Sequence, residues 1–266
     1  MLLENKVAIV SGIGPGMGRD ISLALAAAGA DVVLAARSED KLLSLKVEIE
    51  QLGGRALAVV TDIGCSDDCQ RLADRAMESF GRVDILVNNA YFIGDMKPFE
   101  TTDIDSVWRQ VLDVNLLGYM RLSQSVVPLM KAQGGGSIVM INSVSMCGYS
   151  KNSAPVIAYA SSKAALNTAA LYMAGELGQY GIRVNSVRPG YIDGDALGFY
   201  CDALGQELGL SGPDYKQKLI DEELALDFIP HSRDIAQTVL YLASDMSSAV
   251  TGQTIDVNAG ERMAAS

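Results

Sequence analysis

Residues 7–18 read Val-Ala-Ile-Val-Ser-Gly-Ile-Gly-Pro-Gly-Met-Gly, a short apolar run followed by four glycines. The apolar run predicts a buried strand, and the small, apolar segment from Met17 to Ala28 predicts a helix directly after it. Glycines at such a junction let the backbone approach a phosphate group, which the unpaired N–H groups of the helix N-terminus stabilise. A glycine turn can also be purely structural. The candidate nucleotide-binding residues are Ser11, Gly12, Gly16, Met17 and Gly18.

The rest of the chain continues this alternation of strand and helix patterns. Short β-branched runs linked by helices of about a dozen residues or more indicate βαβ units and a parallel sheet. We therefore predict an α/β, doubly wound fold with a seven-stranded, mainly parallel sheet and helices on both faces. No linker or repeat divides residues 1–266, so we expect one domain. The predicted strands are Val7–Val10, Asp31–Ala36, Ala56–Val60, Val83–Val87, Ser137–Ile141, Ile182–Val187 and Gln253–Val257.

The helix patterns have their own boundaries. Residues 38–51 have helical periodicity, Ser66 with two following aspartates predicts a capped helix start, and a long helical stretch is expected from Asp103 to Ala132. One region departs from the alternation, because residues 191–231 contain no strand pattern and are rich in glycine. It follows a strand end, where doubly wound sheets place their ligands. We predict a mobile, partly helical lobe over a substrate; a plain surface insertion is the alternative.

Composition excludes several classes of partner. The formal net charge is −11 and no basic stretch stands out, so neither nucleic acid nor an anionic membrane is an expected partner. Four scattered cysteines do not make a disulfide framework, and the single histidine, His231, lies far from Cys65 and Cys69, so no metal site is expected. The N-terminus lacks a signal-peptide pattern, and no uncharged apolar run is long enough to span a membrane. We expect a reduced, cytoplasmic location.

The segment Tyr159-Ala-Ser-Ser-Lys163 carries a chemical pattern. Residues four apart on a helix lie on the same face, so the lysine ammonium would lie beside the phenol. A nearby positive charge lowers the pKa of a tyrosine from its usual value of about 10, which allows proton exchange nearer pH 7. An ordinary surface pair is the alternative interpretation of this spacing alone.

Further motifs occur in order along nearly the whole chain, and together they resemble the short-chain dehydrogenase/reductase family. The resemblance implies a Rossmann fold and hydride transfer between a nicotinamide and a carbonyl or carbinol carbon. The motifs are Gly12-x-x-x-Gly16-x-Gly18, Thr61-Asp62-Ile63, Asn88-Asn89-Ala90, Asn115 within Val114–Leu116, the strand from Ser137 to Ser143, the Tyr159/Lys163 pair and Arg188-Pro189-Gly190.

The resemblance implies four catalytic residues. Tyr159 would protonate the developing alkoxide in reduction or take the hydroxyl proton in oxidation. Lys163 would lower the Tyr159 pKa and hold the nicotinamide ribose, and Ser143 would hydrogen-bond the substrate oxygen. Asn115 would anchor a water that links Lys163 to solvent; a buried asparagine that ties helix turns together is its structural alternative. Ser145 is a rival for Ser143, because the gap before Tyr159 is longer than usual.

The resemblance also implies the cofactor contacts. NAD-dependent relatives have an acidic residue where this chain has Ala36, and Arg37 follows. Arginine suits phosphate recognition, so NADP(H) is the preferred cofactor and NAD(H) the alternative. A solvent-exposed helix-start residue is the other explanation of Arg37, and Pro15 stands where many NADP-using relatives have a basic residue. The remaining implied contacts are Asp62, Ile63, Asn89, Ala90, Tyr159, Lys163, Pro189, Gly190 and Ile192.

The substrate is expected to be a neutral, fairly apolar secondary alcohol or its ketone, cyclic and aromatic ones included. The lobe is acidic, which disfavours phosphorylated and acyl-carrier substrates. A 3-oxoacyl-thioester reductase, a non-catalytic dinucleotide-binding sensor, and a dehydratase or epimerase stay open as alternatives. The small residues on one face of the Tyr159 helix predict close helix packing, and in the family such faces often join subunits, so the resemblance implies a homo-oligomer, either a tetramer or a dimer. These residues are Ala164, Ala165, Ala169, Ala170 and Ala174. The expected substrate-binding residues are Tyr91, Ser145, Met146, Tyr191 and Phe199.

Overall fold

Seven strands form one sheet in a computed structural model that describes residues 1–149 and 154–263. The order is β3-β2-β1-β4-β5-β6-β7, and every recorded strand pair is parallel, so the sheet is parallel throughout rather than mainly so. From β1 the sheet is extended toward one edge by β2 and β3, and then toward the other edge by β4 to β7. Doubly wound folds bind ligands where the order of the strands switches in this way, which is here between β1 and β4. The strands are β1 Val7–Ser11, β2 Asp31–Ala36, β3 Ala56–Val60, β4 Ile85–Asn88, β5 Gly136–Ile141, β6 Ile182–Pro189 and β7 Thr254–Val257.

Helices cover both faces of the sheet. The first, second and ninth helices pack on one face, and the third, fifth and sixth pack on the other. No helix among the described residues has both the length and the apolarity needed to cross a membrane. The helices are α1 Met17–Ala27, α2 Glu39–Gln51, α3 Ser66–Phe80, α4 Arg109–Leu112, α5 Tyr119–Ala132, α6 Ile157–Leu177, α7 Asp195–Glu207, α8 Gly212–Glu223 and α9 Ser232–Ala243.

Two helix predictions need correction. The N-cap of α3 is Cys65, whose backbone is extended, and Ser66 is already helical. The stretch predicted as one helix from Asp103 to Ala132 contains two π-helical segments, Ile104–Trp108 and Asp113–Gly118. Local sequence does not predict π-turns, which often occur at functional sites. The Asp103 carboxylate caps the first of them by accepting from the N–H of Ser106 at 2.6 Å.

The region 191–231 is helical, as predicted, and has its own small core. Helices α7 and α8, with Ile229 from the segment after them, pack through five buried side chains that are separate from the two layers against the sheet. Ser211 caps α8 through a hydrogen bond from the N–H of Asp214. An isolated parallel bridge between Asp193 and His231 brings the two ends of the lobe together. The side chains of this core are Leu197, Cys201, Tyr215, Leu219 and Ile229.

Candidate active site

The glycine loop packs against the segment that follows β4. Gly12 has φ +81°, and a Cβ there would lie 2.4 Å from backbone atoms of Ala90. A Cβ on Gly18 would lie 2.3 Å from the Gly12 carbonyl oxygen. The Asn89 amide donates to the carbonyl oxygens of Gly12, at 2.8 Å, and Ser11, at 3.2 Å. Positions 12 and 18 therefore have no room for a side chain, and the Asn89 amide joins the ends of the first and fourth strands.

The other side of the loop is open. A Cβ on Gly14 or on Gly16 would meet nothing within 4 Å. Helix α1 begins at Met17, and its N-cap, Gly16, has no side-chain capping bond, so the first-turn N–H groups lack that partner. The buried Oδ1 of Asn89 has no hydrogen-bond partner among the described residues. Open space and an aligned helix dipole fit the diphosphate of a dinucleotide. The Asn89 oxygen is an acceptor, so its partner would be a donor group of the ligand rather than the diphosphate.

The predicted adenosine-side residues lie at the ends of β2 and β3. Arg37 is exposed, and no described residue forms a hydrogen bond or ion pair with its guanidinium. Asp62 is exposed and accepts from the N–H of Gly64 at 2.9 Å. The Ile63 side chain is buried and lies against Gly118, where a Cβ would be 2.8 Å from it. Arg37 and Asp62 are therefore free to meet a ligand, whereas the Ile63 side chain belongs to the core.

The predicted catalytic hydroxyls meet between β5 and α6. Tyr159 is hydrogen-bonded to Ser143. The Ser143 and Ser145 hydroxyls lie 3.0 Å apart, and the N–H of Ser145 donates to the Ser143 oxygen at 3.2 Å. Asn142, which sequence analysis missed, accepts from the N–H of Ser143 at 2.9 Å. Ser143 is thus the serine that contacts the phenol, and Ser145 supports it.

The Lys163 side chain is buried close to the Tyr159 ring. This side chain is 1% exposed, and Nζ donates to the carbonyl oxygen of Ile141 at 2.7 Å and to the Tyr119 hydroxyl at 3.4 Å. Nζ also lies 5.7 Å from the centre of the Tyr159 ring. Burial lowers the pKa of Lys163 to about 7, because a desolvated ammonium is unfavourable. Lys163 can therefore gain or lose a proton near neutral pH.

The pKa of Tyr159 contradicts the prediction made from the sequence. The Tyr159 side chain is half-buried, and desolvation raises its pKa to about 12, while the hydrogen bond from Ser143 opposes that rise without reversing it. The expected lowering by Lys163 is absent, since Nζ is directed to a backbone carbonyl and its own charge is weakened by burial. In the protein alone the phenol is therefore held protonated, as a general acid requires.

Asn115 lies in the π-helical segment Asp113–Gly118 and fixes the loop after β4. Its Oδ1 accepts from the N–H of Phe92 at 2.8 Å, and its Nδ2 donates to the Phe92 carbonyl at 2.9 Å. The second amide hydrogen goes to the Ser162 hydroxyl at 3.1 Å. Both amide hydrogens are thus used to join this loop to α6. A water between Asn115 and Lys163 stays a prediction.

Tyr119 also belongs to this site and was missed by sequence analysis. Its ring is fully buried, and Nζ of Lys163 lies 4.9 Å from the ring centre. Burial raises the Tyr119 pKa well above its usual value, so its hydroxyl stays neutral. The only signal in the sequence is its position four residues after Asn115, on the same helical face.

The five predicted substrate-binding residues lie in different environments. Tyr91 is exposed, and its ring meets that of Tyr159 edge to face, with the ring centres 6.4 Å apart. Ser145 touches Ser143, and Met146 is half-buried in the turn that follows. Tyr191 packs against the lobe core, whereas the Phe199 side chain on α7 is 75% exposed. Of these five residues, Tyr91 contacts the Tyr159 ring and Ser145 contacts the Ser143 hydroxyl in the part of the chain that the structure describes.

The last predicted cofactor segment leaves the end of β6. Pro189 is the final residue of that strand and is buried. Gly190 lies against the carboxylate of Glu261, because a Cβ at position 190 would be 2.0 Å from Oε2. Ile192 is half-buried and packs on the core that contains α1 and α9. The segment thus runs along the same sheet edge as the glycine loop.

Comparison with known proteins agrees with this geometry. The family model described as Enoyl-(Acyl carrier protein) reductase matches residues 12–261. The 7alpha-hydroxysteroid dehydrogenase of Escherichia coli (strain K12) is 38% identical over 258 residues, which are 97% of this chain and 94% of that protein. The 3-oxoacyl-[acyl-carrier-protein] reductase FabG of Thermotoga maritima is 34% identical over 267 residues, which are 98% of this chain and 99% of that protein.

A solved structure gives the same result. It is a 7 alpha-hydroxysteroid dehydrogenase complexed with NADH and 7-oxo glycochenodeoxycholic acid, with a TM-score of 0.85 and 36% identity. The match covers 97% of this chain and 94% of the other. The chain therefore belongs to the short-chain dehydrogenase/reductase family. It is an oxidoreductase that acts on hydroxyl and carbonyl groups with NAD(H) or NADP(H).

Proposed function

We propose that this enzyme interconverts a neutral, fairly apolar secondary alcohol and its ketone with NADP(H), and that Tyr159 is the general acid and base. The observation that carries this proposal is the convergence of Ser143, Tyr159 and Lys163 at one sheet edge, beside an open glycine loop. The bound cofactor supplies or accepts the hydride. The protein binds and orients the cofactor and the substrate, and it transfers the proton.

The two pKa values indicate which group donates the proton and which group replaces it. In ketone reduction, Tyr159 begins as the protonated phenol, as its pKa of about 12 requires near neutral pH. It donates its proton to the carbonyl oxygen as negative charge develops there, while Ser143 donates a hydrogen bond to the same oxygen. Lys163, with a pKa of about 7, can then return a proton toward the phenolate. In alcohol oxidation the same groups act in reverse.

Arg37 supports the choice of NADP(H). It follows Ala36, so no carboxylate stands at this position to bind a ribose 2′-hydroxyl or to repel a 2′-phosphate. The guanidinium is exposed and has no partner among the described residues, so a phosphate would not have to displace an ion pair. Its charge and planar donors suit a phosphate.

The substrate class rests on the surroundings of Tyr159. The exposed Tyr91 ring beside it provides an apolar wall where a ketone would approach. Of the two relatives described above, one acts on a hydroxysteroid, an alcohol with a bulky and apolar ring system. The other reduces 3-oxoacyl groups on an acyl carrier protein, and its 34% identity keeps a 3-oxoacyl-thioester substrate as the second candidate. The acidic lobe disfavours that second candidate, since the phosphopantetheine of an acyl carrier is anionic.

A substrate screen tests the proposal. Absorbance at 340 nm would be followed with NADPH and with NADH against cyclic, aromatic and steroid ketones and a 3-oxoacyl thioester. We expect turnover of apolar ketones, with NADPH preferred. Turnover of the thioester alone would refute the substrate class. Cofactor binding without turnover of any carbonyl would favour a sensor.

We also propose that the enzyme is a homo-oligomer. The small residues predicted to form one face of α6 do not all face outward, because Ala170 and Ala174 are buried in the core. The outward side of the helix carries Ala164, the half-exposed Leu171 and the 71% exposed Tyr172. The exposed residues of α6 from Ala164 to Gly175 are uncharged, and this part of the helix suits contact with a second copy of the chain. Light scattering after size exclusion would distinguish monomer, dimer and tetramer.

A further inference from the structure

The chain after β7 makes a tight turn that Asn258 organises. The Asn258 Oδ1 accepts from the N–H of Gly260 at 3.0 Å, and its Nδ2 donates to the Arg262 carbonyl at 3.0 Å. The N–H of Glu261 donates to the Asn258 carbonyl at 3.0 Å. Ala259 has φ +52°, a conformation that a residue with a side chain adopts only when its surroundings require it. The turn therefore has a defined shape and aims Glu261 in one direction.

The Glu261 carboxylate reaches the segment that leaves β6. Its Oε2 accepts from the N–H of Tyr191 at 2.9 Å. The same oxygen occupies the space beside Gly190 where a Cβ would be only 2.0 Å away. Glu261 thus holds the backbone of two consecutive residues, through a charge-assisted hydrogen bond to one and close packing on the other.

The turn also holds the end of the lobe. The N–H groups of Ala225 and Leu226, which follow α8, both donate to the carbonyl of Ala259, at 2.9 Å and 3.0 Å. Gly260 packs so closely that a Cβ there would lie 2.4 Å from the Ala225 Cβ. One short segment therefore contacts both the β6 exit and the exit of the lobe.

The surroundings of the Glu261 carboxylate make it depend on its hydrogen bond from the Tyr191 N–H. Burial raises the pKa of the carboxyl, and the like charge of Glu223 adds to this effect. The bond from the Tyr191 N–H and the charge of Arg262 oppose it. A half-buried carboxylate whose desolvation is offset mainly by one backbone N–H depends on that N–H being in place.

We propose that Glu261 is a positioning residue that fixes the Gly190–Tyr191 backbone in the form that receives the nicotinamide end of the cofactor, and that couples it to the lobe. This inference rests on the proposed function and on the cofactor contacts that the family resemblance implies for Pro189, Gly190 and Ile192. Glu261 acts through the backbone of these residues and takes no part in proton transfer. Its loss should therefore affect the nicotinamide half of the dinucleotide and spare the adenosine half.

Binding measurements on the full chain test this inference. Dissociation constants would be measured for NADPH and for 2′,5′-ADP, or for NADH and ADP if the wild type prefers NADH. We expect Glu261→Ala and Glu261→Asp, which withdraw the acceptor, to weaken NADPH binding by about tenfold. Binding of 2′,5′-ADP should stay within about twofold. Glu261→Gln keeps an acceptor oxygen and should restore most of the affinity.

Controls separate the outcomes. Glu222→Gln removes an exposed α8 carboxylate that pairs with Lys218 and should leave both ligands unaffected. Equal weakening of both ligands by Glu261→Ala and Glu261→Asp, with a lowered melting temperature, would indicate a merely structural role and overturn the inference. Unchanged NADPH binding in both variants, or an equal loss in Glu261→Gln, would also overturn it. If the wild type itself bound no dinucleotide, the proposed function would fail instead.

Discussion

The ammonium nitrogen of Lys163 lies 5.7 Å from the centre of the Tyr159 ring, while it donates to the Ile141 carbonyl at 2.7 Å. The lysine is therefore held by the end of β5, and the phenol is held by Ser143 at the same strand end. Burial moves the two pKa values in opposite directions, to about 12 for Tyr159 and about 7 for Lys163. Both groups are consequently in their neutral forms just above neutral pH.

The buried lysine predicts a pH-dependent stability. Its pKa is 10.5 when unperturbed and about 7 in the folded protein. Between these pH values the unfolded chain holds a proton that the folded protein lacks, so this group makes stability rise with pH. Below pH 7 the folded protein must bury the charged ammonium, and the full destabilisation by this group is present. Lys163→Met should therefore gain stability relative to the wild type at pH 6 and lose that gain by pH 10. The change should exceed about 1.4 kcal/mol, the equivalent of one pKa unit.

Urea denaturation at several pH values measures this effect. Lys131→Met, at an exposed lysine over the Tyr180 ring, is the control for replacing a lysine by methionine. A pH-independent difference between Lys163→Met and the wild type would mean that the lysine keeps an ordinary pKa.

Cofactor preference should change with Arg37. Arg37→Asp places a carboxylate where it can bind a ribose 2′-hydroxyl and repel a 2′-phosphate. We expect the ratio of kcat/KM for NADP(H) over NAD(H) to fall by at least about tenfold. Steady-state kinetics with both cofactors measures the ratio, and Arg109→Asp, at an exposed arginine on α4, is the control. A ratio that does not move would refute the role of Arg37.

The glycine loop gives a matched pair of variants. Gly12→Ala would place a methyl group 2.4 Å from the Ala90 backbone at φ +81°, and should lower the free energy of unfolding by more than about 2 kcal/mol. Gly16→Ala meets nothing within 4 Å and should fold normally, yet bind cofactor more weakly. Urea denaturation and a fluorescence titration with NADPH separate the two effects. Unimpaired cofactor binding by Gly16→Ala would place the dinucleotide elsewhere.

Substrate selection should respond to Tyr91. Tyr91→Ala removes the edge-to-face contact with Tyr159, which is worth about 0.5–1.5 kcal/mol for such a pair, and removes an apolar wall. We expect a higher KM for bulky ketones, an altered rank order across a ketone panel, and unchanged NADPH affinity. Tyr91→Phe keeps the ring and should resemble the wild type. The same rank order in Tyr91→Ala would remove this residue from the substrate site.

The sequence predicted the strands well for a physical reason. Strands such as Val7–Ser11 are buried on both faces, so they read as continuous β-branched and apolar runs that are easily located. The glycine loop was also predictable, because Gly12 and Gly18 lie against backbone atoms, and dinucleotide-binding strand-loop-helix units use glycine for such close approaches. The family motifs also predicted Ser143, Tyr159 and Lys163, which the structure brings close together, and their catalytic roles stay predictions.

Features that depend on distant contacts were not predictable. The direction of the Tyr159 pKa shift depends on burial and on where Lys163 points, and helical spacing determines neither. Asn115 bonds to a loop 23 residues away, and Glu261 bonds to Tyr191 across 70 residues. These pairings arise only when the loops at the carboxyl edge of the sheet are assembled.

The most direct test of the account compares the wild type with Tyr159→Phe in single-turnover oxidation of NADPH by a ketone from the screen, followed at 340 nm. Phenylalanine keeps the ring but cannot donate a proton, so we predict a loss of about 10²–10⁴-fold in rate with NADPH affinity unchanged. Tyr180→Phe, at a tyrosine beyond the end of α6, should keep full activity. Near-normal turnover by Tyr159→Phe would contradict the account, because the proton would then come from another group.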